Sequence, residues 1–296
     1  MKKIATYLLL ILLWIMVVPS CSKDPAGTEE ETVEIPSRTY SITTEELSCS
    51  RDGIKIYGKL VLPEGRDGRM PVVIFSHGLL GHHTDCLPYA EALARKGYAG
   101  YCFDFIGGSL ANLSGGSYKQ MSILTEMEDL RAVIDMIEKQ GFTDKNQIYL
   151  AGASQGGLVS AMVAAAQPSR IRGMIQMFPA FNIPELVSSY LFILYKGDVS
   201  AMPESTSLLG FTFYKKYVED AIKVDPYAEI GKYEGPVLIM HGDKDLLVPY
   251  SSSEKAVKAY KNATLQKFEG QGHGFDEEGT EKAITSSLEF LTRLNK

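Results

Sequence analysis

Pro71-Val72-Val73-Ile74-Phe75 is an unbroken apolar run, and it suits a strand covered on both faces of a parallel sheet. Segments 98–105, 147–152, 171–178 and 236–241 read as further buried strands, and 264–268 closes the series. Helical stretches alternate with them. The clearest spans 120–139, where Ile123, Met127, Leu130, Ile134 and Ile137 form a stripe at helical spacing that reads as core packing. Ahead of the series, 41–49 and 54–62 read as an antiparallel hairpin turning at Asp52-Gly53. This rhythm predicts an α/β fold with a doubly wound, mostly parallel sheet. More than fifty residues separate the strands at 171–178 and 236–241, far beyond an ordinary crossover. Within that stretch, 181–233 holds ten of the chain's 29 aromatic residues.

Gly152-Ala153-Ser154-Gln155-Gly156 sits where two elements meet. The β-prone run Gln147 to Ala151 precedes it, and the helix-prone run Gly157 to Ala166 follows. A G-x-S-x-G sequence between strand and helix is the pattern of a nucleophile elbow, a strained turn that lifts the serine hydroxyl above the sheet. Small residues two before and two after the serine are needed because larger side chains would collide in so tight a turn. Downstream, Val237 to Met240 leads into His241-Gly242-Asp243-Lys244-Asp245, an acidic loop. Only His273, of the five histidines (His77, His82, His83, His241 and His273), lies beyond that loop, within Gly272-His273-Gly274-Phe275. A nucleophile, then an acid, then a histidine is the chain order of an α/β-hydrolase.

Together with His77-Gly78-Leu79 and Phe103-Asp104-Phe105-Ile106-Gly107-Gly108-Ser109, these motifs resemble the α/β-hydrolase superfamily, in particular its small bacterial carboxylesterases of the cinnamoyl or feruloyl type. The resemblance implies a serine hydrolase that cleaves carboxylic esters of small molecules through an acyl-enzyme, with hydroxycinnamoyl or small acyl groups as substrates. It assigns Ser154 as nucleophile, His273 as general base and Asp245 as the acid, leaving Asp243 as a loop-capping carboxylate. It places the oxyanion-hole amides at Leu79 and Gln155. It makes the 181–233 insert a cap, and Phe181 and Tyr190, which lie nearest the strand end that enters the site, are the substrate-binding candidates. His77 and His241 read as structural residues, and His82-His83 as solvent-exposed loop residues without a metal-binding partner. No cofactor or metal is implied. A serine aminopeptidase or acylaminoacyl peptidase shares the same triad, with Glu185, Glu204 and Glu219 as cap acids that could hold an amine. A non-catalytic, ligand-binding surface lipoprotein is the reading from another class.

The ends of the chain complete the picture. Lys2 and Lys3 precede an apolar run from Ile4 to Val18, followed by Val18-Pro19-Ser20-Cys21. This is the layout of an export signal, and it resembles a lipobox with cleavage before Cys21 and lipid attached there. Residues 1–20 are then a signal peptide, 21–38 a flexible polar tether reaching roughly 20–25 Å, and 39–296 the hydrolase domain. The expected location is a bacterial membrane surface, held by the lipid. Without the leader, 28 basic residues face 36 acidic ones, a formal charge of −8 with no basic cluster, which argues against nucleic acid. Cys49, Cys86 and Cys102 have no zinc spacing, and Cys102 reads as a buried thiol within its strand.

Overall fold

In the computed structural model, which describes residues 34–108, 113–208 and 210–295, the apolar run at 71–75 becomes β5 (Met70–Ser76), buried at every position. It lies inside an eight-stranded sheet of order β1-β4-β6-β5-β7-β8-β11-β12. These strands are β1 (Ile42–Glu46), β4 (Gly58–Pro63), β6 (Ala99–Phe103), β7 (Thr143–Ala153), β8 (Gly173–Met177), β11 (Val237–Gly242) and β12 (Ala263–Phe268). β1 and β4 run antiparallel at one edge, and from β6 to β12 all pairings are parallel. The doubly wound, mostly parallel sheet expected from the pattern is the one observed. The hairpin turns at Asp52-Gly53 as expected, with both residues at positive φ, but its arms break into two ladders. Next to the turn β2 (Cys49–Arg51) pairs with β3 (Ile54–Ile56), whereas β1 and β4 join the main sheet.

Alternation along each strand divides the core. Val72 and Ile74 of β5, Ile148 and Leu150 of β7, and Val237 and Ile239 of β11 point to one face. Their neighbours Val73, Phe75, Tyr149, Ala151, Leu238 and Met240 point to the other, as a period of two requires. The second face is covered by α1 (His83–Arg95) and, later in the chain, α8 (Glu277–Leu294). The first carries α2 (Ile123–Ile137), α3 (Gln155–Ala166), α7 (Tyr250–Ala259) and the long insert. α2 coincides with the apolar stripe and starts three residues later than the expected span of 120–139, because Ser122 caps it by accepting the Thr125 N–H at 3.2 Å. The insert contains α4 (Ile183–Tyr195), the small hairpin β9 (Ser205–Leu208) with β10 (Phe211–Tyr214), α5 (Lys215–Ala221) and α6 (Pro226–Glu229).

Residues 34–41 approach from the amino ends of the parallel strands. The Tyr40 N–H donates to Arg95 O at the end of α1, and Ile42 pairs with Pro63. The expected signal segment, Cys21 and residues 22–33 lie outside the described residues.

Candidate active site

The carboxyl ends of β5, β7, β8, β11 and β12 converge on one place, the usual position for a site in an open α/β sheet. β7 ends in the G-x-S-x-G turn, and Ser154 stands there at φ 52° and ψ −120°, a conformation few side chains adopt. The surroundings hold it: its N–H donates to Met177 O at 3.0 Å, and its carbonyl accepts from Gly157 and Ala180. A Cβ on Gly156 would stand 2.2 Å from Ser76 O and 2.4 Å from His77 O, while one on Gly152 would stand 2.4 Å from Gly156 O. Both flanking glycines are therefore steric necessities. Gly156→Ala is expected to cost roughly 1–3 kcal/mol, as overpacking does elsewhere. A denaturant titration would show this as a lower midpoint at unchanged slope, and a midpoint equal to wild type would show that the turn can give way.

The structure brings Ser154, His273 and Asp245 together from three separate loops. His273 Nε2 lies 3.0 Å from Ser154 Oγ, and His273 Nδ1 lies 2.8 Å from Asp245 Oδ2. Asp245 is buried, with Oδ1 accepting the Leu247 and Val248 N–H groups at 2.9 and 2.8 Å. His241 at the end of β11 adds its Nε2 at 3.1 Å from Oδ2, and its Nδ1 sits 2.7 Å from Ser253 Oγ. Burial alone would raise the Asp245 pKa. Hydrogen bonds from His241, His273 and Val248 outweigh it and hold this carboxyl well below the usual carboxylate range. It is therefore ionised wherever a histidine beside it can act. Asp243 instead accepts the Gly270 N–H at 2.7 Å, tying its loop to the end of β12.

After β5, the loop from His77 to His82 brings Leu79 to the cavity wall beside Ser154. Leu80 next to it has φ 60°, a second strained residue at the site. Gln155 is the first residue of α3, where amides have no acceptor inside the helix. His77 is buried; burial lowers its pKa, and it accepts the Phe105 N–H at Nε2 while Nδ1 donates to Gly78 O at 2.8 Å. It shapes the loop, as expected.

The expectation for His82-His83 does not hold. His83 is only 4% exposed, and Asp104, brought in from the end of β6, is the acidic partner that spacing along the chain could not reveal. Asp104 Oδ1 takes both the backbone N–H and the Nδ1 of His83, at 2.7 and 2.9 Å. Its Oδ2 takes the Leu113 N–H at 2.8 Å and lies 3.5 Å from His82 Nε2. Among the described residues this is the trio whose ligand atoms approach closely enough to hold a metal ion, within 4.8 Å of one another. The carboxylate is already engaged by three N–H groups, so it serves as a clasp joining α1 to the loop after β6. Cys86 also lines the cavity, but burial pushes its thiol up to about 12, leaving it a poor nucleophile near neutrality.

Above Ser154 opens a cavity of about 460 Å³. The insert supplies Ile183, Leu186, Val187, Phe211, Phe213 and Tyr217 to its walls, and the strand ends add Phe178 and Phe275. Phe178 has φ 38° and stands edge-on to both His273 and Phe275, with ring centroids 4.9 Å apart in each case. The two expected substrate contacts lie elsewhere. Phe181 is buried against Tyr227 and Tyr260 and is not among the cavity-lining residues. Tyr190 continues the stripe of Ile183, Leu186 and Val187, but seven residues of helix carry it about 10 Å further on. There its hydroxyl meets Thr206 of β9. The aromatics of the insert that do face the cavity come from β10 and α5, and the alternation Phe211-x-Phe213 is the signal for them in the sequence. None of Glu185, Glu204 and Glu219 is among the cavity-lining residues.

A family model described as the prolyl oligopeptidase family (Peptidase_S9) matches residues 91–296. Est1E from Butyrivibrio proteoclasticus, whose structure has been solved with ferulic acid bound, is 30% identical and superposes with a TM-score of 0.76. That superposition covers 84% of this chain and 98% of Est1E. The putative esterase YitV of Bacillus subtilis is 25% identical over 69% of this chain and 79% of its own length. The uncharacterized peptidase YuxL of the same organism is 22% identical over 90% of this chain, which spans only 42% of YuxL. A strained serine turn at the end of a central parallel strand, a buried acid loop two strands away and a match over most of the domain agree: this chain belongs to the prolyl oligopeptidase family, serine hydrolases of the α/β-hydrolase superfamily.

Proposed function

We propose that this protein is a carboxylesterase that works through an acyl-enzyme on Ser154 and accepts aromatic, hydroxycinnamoyl-type acyl groups. The carrying observation is the hydrogen-bonded chain from Ser154 through His273 to Asp245 at the foot of an aromatic-walled cavity. Ser154 Oγ attacks the ester carbonyl as His273 Nε2 takes its proton, giving a tetrahedral adduct. The N–H groups of Leu79 and Gln155 receive the negative charge on the former carbonyl oxygen. His273 returns the proton to the leaving alcohol as the C–O bond breaks. Water then repeats the sequence on the acyl-enzyme and releases the acid. Asp245 keeps the Nδ1 proton on His273 and offsets the imidazolium charge.

The acyl preference rests on the cavity walls and on the likeness to Est1E, which binds ferulic acid. A flat aryl group between Phe178, Phe211 and Phe213 would gain edge-on or stacked contacts worth roughly 0.5–1.5 kcal/mol each beyond burial. Phe213→Ala is therefore expected to lower kcat/KM for methyl ferulate about three- to tenfold more than for an aliphatic methyl ester of similar size. Equal losses on both would leave a general esterase. The peptidase reading draws on the family and on YuxL. Among the described residues no acid of the insert lines the cavity, and Asp85, which does, already accepts the His82 N–H at 2.8 Å. A panel of methyl ferulate, p-nitrophenyl alkanoates and aminoacyl amides separates the two, since dominant amide cleavage would replace the esterase reading.

A further inference from the structure

The side chain of Gln155 is fully buried and tied at both ends. Its Oε1 accepts a hydrogen bond from the Tyr217 hydroxyl at 2.6 Å, and its Nε2 donates to Glu126 Oε2 at 2.8 Å. The three residues belong to three elements: Gln155 opens α3, Glu126 lies on α2, and Tyr217 lies on α5 within the insert. A second bond runs parallel to this brace. Ser122, one turn before Glu126, donates to Asp220, one turn after Tyr217, at 2.7 Å. Tyr217 also presents its ring to the cavity. The ring that an acyl group would press against is thus bonded to the residue whose backbone amide faces the reacting carbonyl.

We infer that Tyr217 and Glu126 are positioning residues that hold the Gln155 amide in place, so that contact between the acyl group and the insert is expressed in the rate of the chemical step rather than in substrate binding. This rests on the esterase reading above. A side chain anchored on both sides restricts rotation about the peptide unit next to it, and an oxyanion donor is effective only while it is aimed in advance. Burial raises the Glu126 pKa well above the usual carboxylate range, only partly countered by the Gln155 bond, with Asp129 adding to the rise. The shift favours the protonated carboxyl, which places no charge behind the donor and still accepts from Gln155.

Removing a whole oxyanion donor costs on the order of 10²–10³ in kcat, so loosening one should cost roughly tenfold. Tyr217→Phe keeps the ring and deletes the hydroxyl. It is expected to lower kcat for an aryl ester about tenfold with KM unchanged within a factor of about two. Affinity for phenylboronic acid, which forms a tetrahedral adduct on the serine, should fall by the same factor as kcat/KM. Unchanged boronate affinity, or a loss confined to KM, would overturn the inference. Glu126→Leu should resemble Tyr217→Phe, and the conservative Glu126→Gln should restore most of the rate, since its amide oxygen can still accept from Gln155. A Glu126→Gln rate as low as that of Glu126→Leu would also overturn it. Labelling by a fluorophosphonate separates this inference from the reading it rests on. If the wild-type serine fails to label, the esterase reading fails. If it labels as fast in Tyr217→Phe as in wild type, the brace fails.

Discussion

Ser154→Ala is expected to reduce ester hydrolysis by on the order of 10⁶-fold, the scale seen when a serine hydrolase loses its nucleophile. The fold should survive the change. Serine and alanine both carry a Cβ and meet the same steric strain at φ 52°, and the bonds that hold the turn come from backbone groups of residues 154, 157, 177 and 180. The thermal midpoint should therefore stay near that of wild type, and fluorophosphonate labelling should vanish. A variant that still turns over a p-nitrophenyl ester at a rate close to wild type would remove Ser154 from the mechanism.

Asp245→Asn is expected to lower kcat by about 10⁴-fold, as the equivalent change does in a serine protease by stabilising the wrong histidine tautomer. The surroundings make this loss hard to evade. Oδ1 accepts two backbone N–H groups, so the introduced amide must turn its oxygen to them. Its NH₂ group then faces both His273 Nδ1 and His241 Nε2, where a single carboxylate oxygen now serves both rings. His273 would have to offer a bare Nδ1 and carry its proton on Nε2, the atom that must take the proton from Ser154. Asp243→Asn should cost a few-fold at most, because that side chain only accepts the Gly270 N–H. Steady-state kinetics on the two variants decide the matter, and a reversed order of losses would move the acid role to Asp243.

The parts of this site that could be read from the sequence are those whose requirements are local or numerically scarce. Gly152 and Gly156 announce the serine turn because no side chain fits beside Ser76 O or Gly156 O. His273 stands out because it is the last of five histidines in a fold that needs one late in the chain. The continuous apolar run of β5 marks a strand with both faces covered. What escaped depends on contacts between distant segments. Asp104 reaches His83 across 21 positions, and Tyr217 reaches Gln155 across 62, with no pattern in either stretch to signal the meeting. Phe181 and Tyr190 lie close along the chain to a strand end, but Phe181 turns into the core and helical rise carries Tyr190 past the cavity.

The approach of residues 34–41 from the amino ends of the strands gives the molecule a front and a back. The mouth of the cavity opens at the carboxyl ends, and the Ile42–Pro63 pairing joins the start of β1 to the sheet a strand's length away, roughly 20 Å for six residues. A resin linked directly at Glu34 would hold the molecule by its back. The mouth of the cavity would then face away from the resin. Ester groups on bulky or insoluble material could be presented to it without the carrier intervening, so the direction of attachment itself would set which substrates are within reach.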